Sequence, residues 1–274
     1  MRTMNVVIRV GVACAVAMAL TIGAAAGQSA PVPRVTFAGG IDVLPGAAYV
    51  FRGITQESSP ELTLWPAVDL GVTLASSDRA TLRANIGTWN SLHTGSSGLD
   101  GRYAAGYESD VYGTLSAAVA GNMTVGATYT AYTSPNGLFN TVKEFSVKAA
   151  RADRVSPYAL VAFELAGGAA ADGGQPGTYF EVGIGPMFPL VGNTTLTVPV
   201  KLGLSLADYY QHPVTGVDHR FGYVDAGLLV TKAFASHWNV HAGVNVLGLG
   251  QTTRQFNGGD NRKVTGLLGI GWSY

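Results

Sequence analysis

The sequence predicts an all-β fold: a single transmembrane, antiparallel, up-and-down β-barrel of about twelve strands, preceded by a cleaved signal peptide. Three features indicate this fold. Segments in which every second residue is apolar recur along the chain, the connections between them alternate between short and long, and the last segment ends on an aromatic residue. Because alternate side chains of a β-strand point to opposite faces, each such segment has one apolar and one polar face.

The final segment, residues 264–274, shows the pattern most clearly. It resembles the C-terminal signal of bacterial outer-membrane barrels, whose closing strand ends in an aromatic residue. We therefore predict that Trp272 and Tyr274 form a membrane-assembly signal, with outer-membrane lipid and the barrel-assembly machinery as partners. Apart from Gly266, the alternate positions of this segment are apolar: Val264, Leu268, Ile270, Trp272 and Tyr274.

Residues 1–26 have the features of a secretory signal peptide. Basic residues Arg2 and Arg9 come first, an apolar run follows over 10–22, and alanines occupy 24–26. The pattern predicts cleavage after residue 26 and leaves residues 27–274 as the barrel. The alternative is a membrane anchor, but the run is shorter than the ~20 apolar residues that span a bilayer. Cys14 is the only cysteine, so no disulfide, thiolate ligand or cysteine nucleophile is expected in the mature chain.

The composition is unusual for a soluble domain. Charged residues make up 12% of the chain, against the ~25% that is typical. Removing Arg2 and Arg9 from the 17 basic residues leaves 15 against 17 acidic residues, so no basic surplus indicates nucleic-acid binding. No later stretch has the ~18 consecutive apolar residues of a membrane helix. A membrane protein without such helices must close into a barrel, because lipid cannot satisfy an open sheet edge.

Twelve alternating segments are predicted as strands, an even number as in bacterial barrels. The first strand has an alternative start near Val35, because 35–42 also alternates weakly. The predicted strands are 49–56, 61–75, 80–92, 106–119, 123–132, 141–150, 155–165, 177–189, 194–207, 221–234, 238–249 and 264–274.

The connections alternate in length without a break. Outer-membrane barrels have short periplasmic turns and longer external loops, so both termini are predicted to be periplasmic in the outer membrane. Short turns are predicted at 76–79, 120–122, 151–154, 191–193 and 235–237, and mostly longer loops at 58–60, 93–105, 134–140, 167–176, 208–220 and 250–262.

The alternation assigns side chains to the lipid or the lumen. In the second predicted strand Leu70 and Val72 would face lipid, whereas Asp69 and Thr73 would face inward. An arginine or lysine facing lipid at the midplane costs ~2–4 kcal/mol, so the charged residues are placed inside. Aromatic residues near strand ends are assigned to the interfacial girdles; they are Tyr49, Phe51, Phe188, Phe234, Trp238 and Trp272. The lumen and selectivity candidates are Arg52, Asp69, Arg83, Glu108, Asp110, Glu144, Lys148, Glu164, Glu181, Lys201 and Asp225.

Two interpretations of these charges are open. They line a solute pathway and set its selectivity, as charged rings do in pores. Alternatively they pair across the lumen, Arg52 and Arg83 against Asp69, Glu108 and Asp110, and fill the interior. Barrels of about eight strands are filled by side chains and those of sixteen or more leave a channel, so twelve lies between. Acidic residues outnumber basic ones in the set, which predicts a mild preference for cations.

Several motifs resemble those of the TorF-type porin family of proteobacterial outer-membrane barrels. Residues 49–56 (YVFRGITQ) are similar to its Tyr-x-Phe-Arg-Gly-x-Ser/Thr-Gln motif, and 108–113 (ESDVYG) to its Glu-x-Asp-x-Tyr-Gly strand. Further similarities lie at 89–91 (WNS), 129–135 (YTAYTSP) and 143–145 (KEF), so the likeness covers about 35–150. It implies an outer-membrane porin with no assigned substrate. One departure is Ala47-Ala48, where family members usually have Ser-Asp.

A lipid-modifying barrel enzyme is the competing function class. A hydrolase needs a serine, a histidine and an acid within hydrogen-bond reach. His237 and His241 are the best histidines, but no serine in a suitable context accompanies them, and at ~3.3 Å per residue they lie ~13 Å apart. Glu108 and Asp110 could form an acid–base pair, although lumen salt bridges explain them more simply. No catalytic residue, metal site or cofactor is predicted.

The sequence therefore predicts a passive diffusion channel for ions or small polar solutes through a narrow lumen of mixed charge. The alternatives are a closed barrel with a structural or surface-interaction role and, less favoured, a lipid-modifying enzyme.

Overall fold

The structure, a computed structural model, describes residues 34–45, 49–57, 60–94, 105–120, 122–167, 175–212 and 215–274. The predicted signal peptide, Cys14 and Ala47-Ala48 lie outside these ranges. The strands are β1 (Val35–Pro45), β2 (Tyr49–Phe51), β3 (Ile54–Glu57), β4 (Leu62–Ser76), β5 (Ala80–His93), β6 (Gly106–Val119), β7 (Met123–Thr133), β8 (Val142–Arg151), β9 (Tyr158–Ala166), β10 (Thr178–Ile184), β11 (Met187–Pro189), β12 (Thr194–Thr197), β13 (Val200–Ala207), β14 (Phe221–Ala235), β15 (Trp238–Leu249) and β16 (Arg262–Ser273). One helix, α1 (Gln251–Phe256), precedes β16.

These strands form a closed, antiparallel, twelve-stranded barrel, as predicted. Each barrel strand pairs with the next along the chain, and β1 closes the ring against β16, with Ala38 opposite Ser273 and Val43 opposite Leu268. Two barrel strands are interrupted. Pro186 separates β10 from β11 and Pro199 separates β12 from β13, because proline has no N–H to donate to a ladder.

The prediction of 49–56 as the first barrel strand is wrong. That segment is a hairpin, β2 and β3, which forms a sheet of its own. Arg52 and Gly53 both have positive φ, 44° and 81°, as the two central residues of a tight type I′ hairpin turn require. The first barrel strand is β1, which includes the weakly alternating segment. We call residues 49–57 the inner hairpin.

The alternation of faces is confirmed on the outside of the barrel. The side chains of Leu70, Leu74, Ile86, Val111 and Leu268 are 43–58% exposed. This apolar exterior is suited to lipid, since a transmembrane barrel carries an outward apolar band. Among the described residues, no helix has the length and apolarity needed to cross a membrane.

The two ends of the barrel differ. At the long-loop end, where β1 ends and β4 begins, the inner hairpin lies inside the barrel and most of the buried core surrounds it. At the short-turn end, where β4 ends and β5 begins, interior side chains keep part of their surface exposed. The prediction of 250–262 as a plain loop is also incomplete, because α1 forms there and packs against β3 and β14. The buried hydrophobic residues around the hairpin include Ala67, Trp89, Tyr107, Tyr132, Tyr179, Tyr209, Tyr210, Tyr223 and Leu247.

Candidate functional site

The turn of the inner hairpin delivers Arg52 to the middle of the long-loop half. Its guanidinium donates two parallel hydrogen bonds to Glu144 of β8, from Nη1 to Oε2 at 2.7 Å and from Nη2 to Oε1 at 2.9 Å. The two side chains are 4% and 2% exposed. Such a bidentate, charge-assisted pair is among the strongest polar contacts available to a protein. It fixes the hairpin to the barrel wall.

Aromatic rings enclose this ion pair. The Arg52 guanidinium lies 4.1 Å from the ring centre of Tyr179, 4.7 Å from that of Phe51 and 5.3 Å from that of Tyr209. Nη1 also donates to the Tyr209 hydroxyl at 3.1 Å. The hydroxyl of Tyr132 donates to Glu144 Oε1 at 3.0 Å. The cation is therefore held both by a carboxylate and by ring faces.

The long loops hold the hairpin backbone from the other side. Tyr210 donates its hydroxyl to the Arg52 carbonyl at 2.9 Å, and burial raises the pKa of that phenol well above its usual range, so it stays protonated. Asn257, which follows α1, donates to the Gly53 carbonyl at 2.7 Å and accepts from the Thr55 N–H at 3.0 Å. These contacts satisfy the backbone of the buried turn.

Acidic side chains accumulate around the same level. Glu144 and Glu164 lie directly opposite each other on β8 and β9, an arrangement that repels when both are ionised. Glu164 accepts the Gly177 N–H at 2.6 Å. Glu108 and Asp110 on β6 are also buried, both 1% exposed. The environment of Arg52 is thus strongly acidic.

A second polar cluster lies below the hairpin. The Glu181 carboxylate accepts hydrogen bonds from the hydroxyls of Tyr158, Tyr179 and Tyr223 at 2.6–2.7 Å. Tyr179 is shared with the Arg52 site, so the two clusters are continuous. On the flanking strands the Lys148 ammonium lies 4.5 Å from the Tyr158 ring centre.

Next to this cluster, Lys201 pairs with Asp225 at 3.5 Å, and the lysine side chain is 36% exposed. Asp225 also accepts from Asn245 Nδ2 at 2.9 Å. The lysine is therefore in contact with open lumen, unlike Arg52.

The opposite wall carries looser pairs. Asp69 accepts from Asn85 at 2.6 Å and from the Tyr112 hydroxyl at 3.0 Å. Arg83 donates to Thr36 Oγ1 at 2.6 Å. These side chains are half-buried, so the polar surface of this half is partly solvated.

All eleven lumen candidates lie inside the barrel, Arg52 on the hairpin and the rest on barrel strands. Their role in selectivity stays a prediction. One of the two interpretations set Arg52 and Arg83 against Asp69, Glu108 and Asp110; in the structure Arg52 forms an ion pair with Glu144, and Arg83 donates to Thr36 on β1. Spacing along the chain could not indicate either partner, because Arg52 and Glu144 are 92 residues apart.

Sequence reasoning also missed Asp42. Its Oδ1 lies 2.8 Å from His241 Nε2, across the seam between β1 and the C-terminal strands. The omission follows from the misplaced first strand. His237 is at the rim, where its ring stacks on Tyr274 with centres 4.5 Å apart.

One arrangement resembles part of a hydrolase site. Ser91 Oγ lies 2.7 Å from His93 Nε2, and His93 Nδ1 is 4.0 Å from Glu57 Oε2, which is beyond hydrogen-bond range. Both Ser91 and His93 are buried, and Trp65 donates to Ser91 Oγ at 2.9 Å. The pair lies against the inner hairpin, where the rings of His93 and Tyr49 have centres 6.4 Å apart. That the chain is not an enzyme stays a prediction.

The aromatic rim is only partly as predicted. Tyr49 and Phe51 are not girdle residues; they are buried, 0% and 7% exposed, in the inner hairpin. Trp238 and Trp272 pack together at the short-turn rim, with ring centres 5.5 Å apart. A role of Trp272 and Tyr274 in assembly stays a prediction.

Comparison with known proteins adds evidence on the fold. No protein-family model and no curated protein matches the chain. Its structure is similar to an outer membrane channel from Pseudomonas putida F1, with a TM-score of 0.50, 12% identity, and coverage of 90% of this chain and 96% of that one.

Two further likenesses are looser. Outer membrane phospholipase A from Escherichia coli has a TM-score of 0.46 at 8% identity, covering 86% of this chain and 91% of that one. The NanC porin has a TM-score of 0.40 at 13% identity, covering 88% and 98%. At these values they do not discriminate between functions. The fold is that of outer-membrane β-barrels.

Proposed function

We propose that the protein is a passive channel of the bacterial outer membrane, through which ions or small polar solutes diffuse along a narrow lumen of mixed charge. The observation that carries the proposal is the segregation of charge. Apolar side chains cover the outside of the barrel, whereas all eleven charged candidates are inside, and those towards the short-turn end are partly solvated. A water-filled polar interior is what a diffusion channel needs.

The inner hairpin would set the width of this passage. It occupies the long-loop half but leaves a cavity of about 40 Å³ against β15 and β16, lined by Leu44, Val50, Trp65, Asn245 and Thr265 among others. Such a volume holds only a few water molecules. A passage along this wall would be narrow, so we expect the conductance to be low.

The orientation follows from the same proposal. Long loops would be external, and the short turns, both termini and the predicted signal-peptide cleavage site would be periplasmic. The likeness to TorF-type porins is supported by one contact set, since two motif residues, Arg52 and Tyr132, both donate to a third, Glu144. Membership of that family remains a proposal.

Planar-bilayer recording of the refolded protein tests the channel. We expect small, cation-preferring current steps, with ion selectivity changed by Lys201→Gln, because the Lys201 side chain is partly exposed in the lumen. Repeated, verified insertions without current would contradict the proposal. Insertion without current would instead favour a closed structural barrel. The observation that favours this alternative is the buried hairpin, which fills the long-loop half of the lumen.

A further inference from the structure

The wall around Arg52 forms a site that a free cation would fit. We define the Glu144 cage as Glu144 of β8, Tyr132 of β7, Tyr179 of β10 and Tyr209 of the loop after β13. The carboxylate presents both oxygens to the same guanidinium, at 2.7 and 2.9 Å. Two of the rings, those of Tyr179 and Tyr209, lie 4.1 and 5.3 Å from the guanidinium carbon.

The cage requires a cation for electrostatic reasons. Glu144 faces Glu164 directly across two neighbouring strands, and two carboxylates in this relation destabilise each other unless a positive charge lies between or beside them. A cage emptied of its cation would leave Glu144 buried without compensation. Burial and ring faces together strengthen the attraction for an organic cation.

Arg52, which occupies the cage, belongs to the inner hairpin, and this hairpin is not part of the barrel wall. Among the described residues the inner hairpin forms its ladder only within itself, Phe51 opposite Ile54 and Val50 opposite Thr55. It is fixed to the rest of the barrel by side-chain contacts, chiefly those of Glu144, Tyr210 and Asn257. The hairpin can therefore leave the cage without breaking a backbone hydrogen bond of the barrel wall.

We infer that the Glu144 cage is a binding site for alkylguanidinium cations, and that Arg52 occupies it as an internal substitute that an entering solute displaces. The inference rests on the proposed channel function, of which it specifies a solute class. A guanidinium matches the two carboxylate oxygens with two parallel N–H donors, whereas a compact ammonium lacks this planar fork. Anions are excluded by the surrounding carboxylates.

The first test is chemical rescue. Arg52→Ala empties the cage, and we expect it to lower the melting temperature of the refolded barrel. Millimolar methylguanidinium should restore most of that loss, and methylammonium should restore little. Rescue should disappear in the double variant Arg52→Ala with Glu144→Gln. The matched control is Arg83→Ala, whose arginine donates to the Thr36 hydroxyl; this variant should show no guanidinium-specific effect. Equal rescue by both cations, or of both arginine variants, would overturn the inference.

The second test keeps Arg52 in place, in case Arg52→Ala does not fold. Ile54→Cys is introduced into a chain carrying Cys14→Ser, and the labelling rate of the new thiol by a charged reagent is measured. Because Ile54 is 2% exposed, labelling reports departure of the hairpin. We expect methylguanidinium to raise the rate several-fold and methylammonium to leave it unchanged. An unchanged rate with methylguanidinium would contradict displacement.

Neither test requires current through the barrel. Conduction without guanidinium-specific rescue or labelling would support the proposed channel and contradict the cation site at the Glu144 cage. Guanidinium-specific rescue and labelling without any conduction would support the cation site and contradict the proposed channel.

Discussion

The two halves of the lumen use the same residue types in different ways. In the long-loop half, Arg52 and Glu144 are 4% and 2% exposed and fixed by two hydrogen bonds. Towards the short-turn end, Arg83 is half-buried and donates one hydrogen bond to the Thr36 hydroxyl at 2.6 Å. A pair of the first kind holds structure together, whereas one of the second kind contributes little stability and can interact with passing ions. Burial, rather than the sign of the charges, separates the two roles.

Removing the closing aromatic residues should affect both halves alike and have the largest effect. Deleting residues 272–274 removes Trp272, which packs on Trp238, and Tyr274, whose backbone exchanges hydrogen bonds with Phe37. We expect assembly to fail before either half forms. Membrane fractionation together with the heat-dependent gel shift of folded barrels measures this. A truncated chain that inserts normally would refute the assigned role.

Breaking the buried pair should separate the halves most clearly. Glu144→Ala leaves Arg52 buried without its carboxylate, which costs about 3–5 kcal/mol. Arg83→Ala, the matched change in the open half, should cost about 1 kcal/mol or less, because Arg83 and its partner Thr36 are both half-buried and water can replace the lost hydrogen bond. Equilibrium unfolding in detergent gives both values. Similar losses for the two variants would show that the halves do not differ in this way.

Removing a single tyrosine hydroxyl from each half of the lumen should give a smaller difference in stability between the halves. Tyr210→Phe removes the hydrogen bond to the Arg52 carbonyl in a fully buried site, at a cost of about 1 kcal/mol or somewhat more. Tyr112→Phe removes a half-buried bond to Asp69, where water can replace the donor, so we expect a smaller loss. The same unfolding measurement compares them, and a larger loss for Tyr112→Phe would count against the solvated state of that half.

The substitution with the smallest expected effect on stability, Lys201→Gln, should change the ion selectivity of the channel. Lys201→Gln removes a partly exposed positive charge beside Asp225 and should make the channel more selective for cations, with little change in unfolding. Reversal potentials in a salt gradient measure the shift. Unchanged ion selectivity would show that Lys201 does not line the ion pathway.

Much of the barrel was predictable because its determinants are local. Alternation placed β6 and β15 with the bounds observed, and it separated Leu70 and Val72 from Asp69 correctly. The alternation of short and long connections needs no tertiary information, since each connection is read directly from the chain.

The inner hairpin could not be predicted from the same signal. Tyr49, Phe51 and Arg52 alternate as a barrel strand would, and period two does not distinguish a hairpin inside the lumen from a strand in the wall. The true first strand was obscured by Gly39. A Cβ on that residue would lie 2.5 Å from the Trp272 ring, so a small residue is required where an apolar one would have shown the pattern. The Arg52 site depends on contacts across 92 residues, which no local pattern contains.

Thiol accessibility tests most directly whether the inner hairpin closes one half and leaves the other open. Thr63 and Thr128 both point into the lumen, but Thr63 in the long-loop half is 0% exposed and Thr128 is only half-buried. In a chain carrying Cys14→Ser, Thr128→Cys should react readily with a small charged thiol reagent. Thr63→Cys should be protected, and loss of the hairpin contact through Glu144→Ala should increase its labelling. Equal and rapid labelling of both positions in the otherwise native barrel would contradict the account.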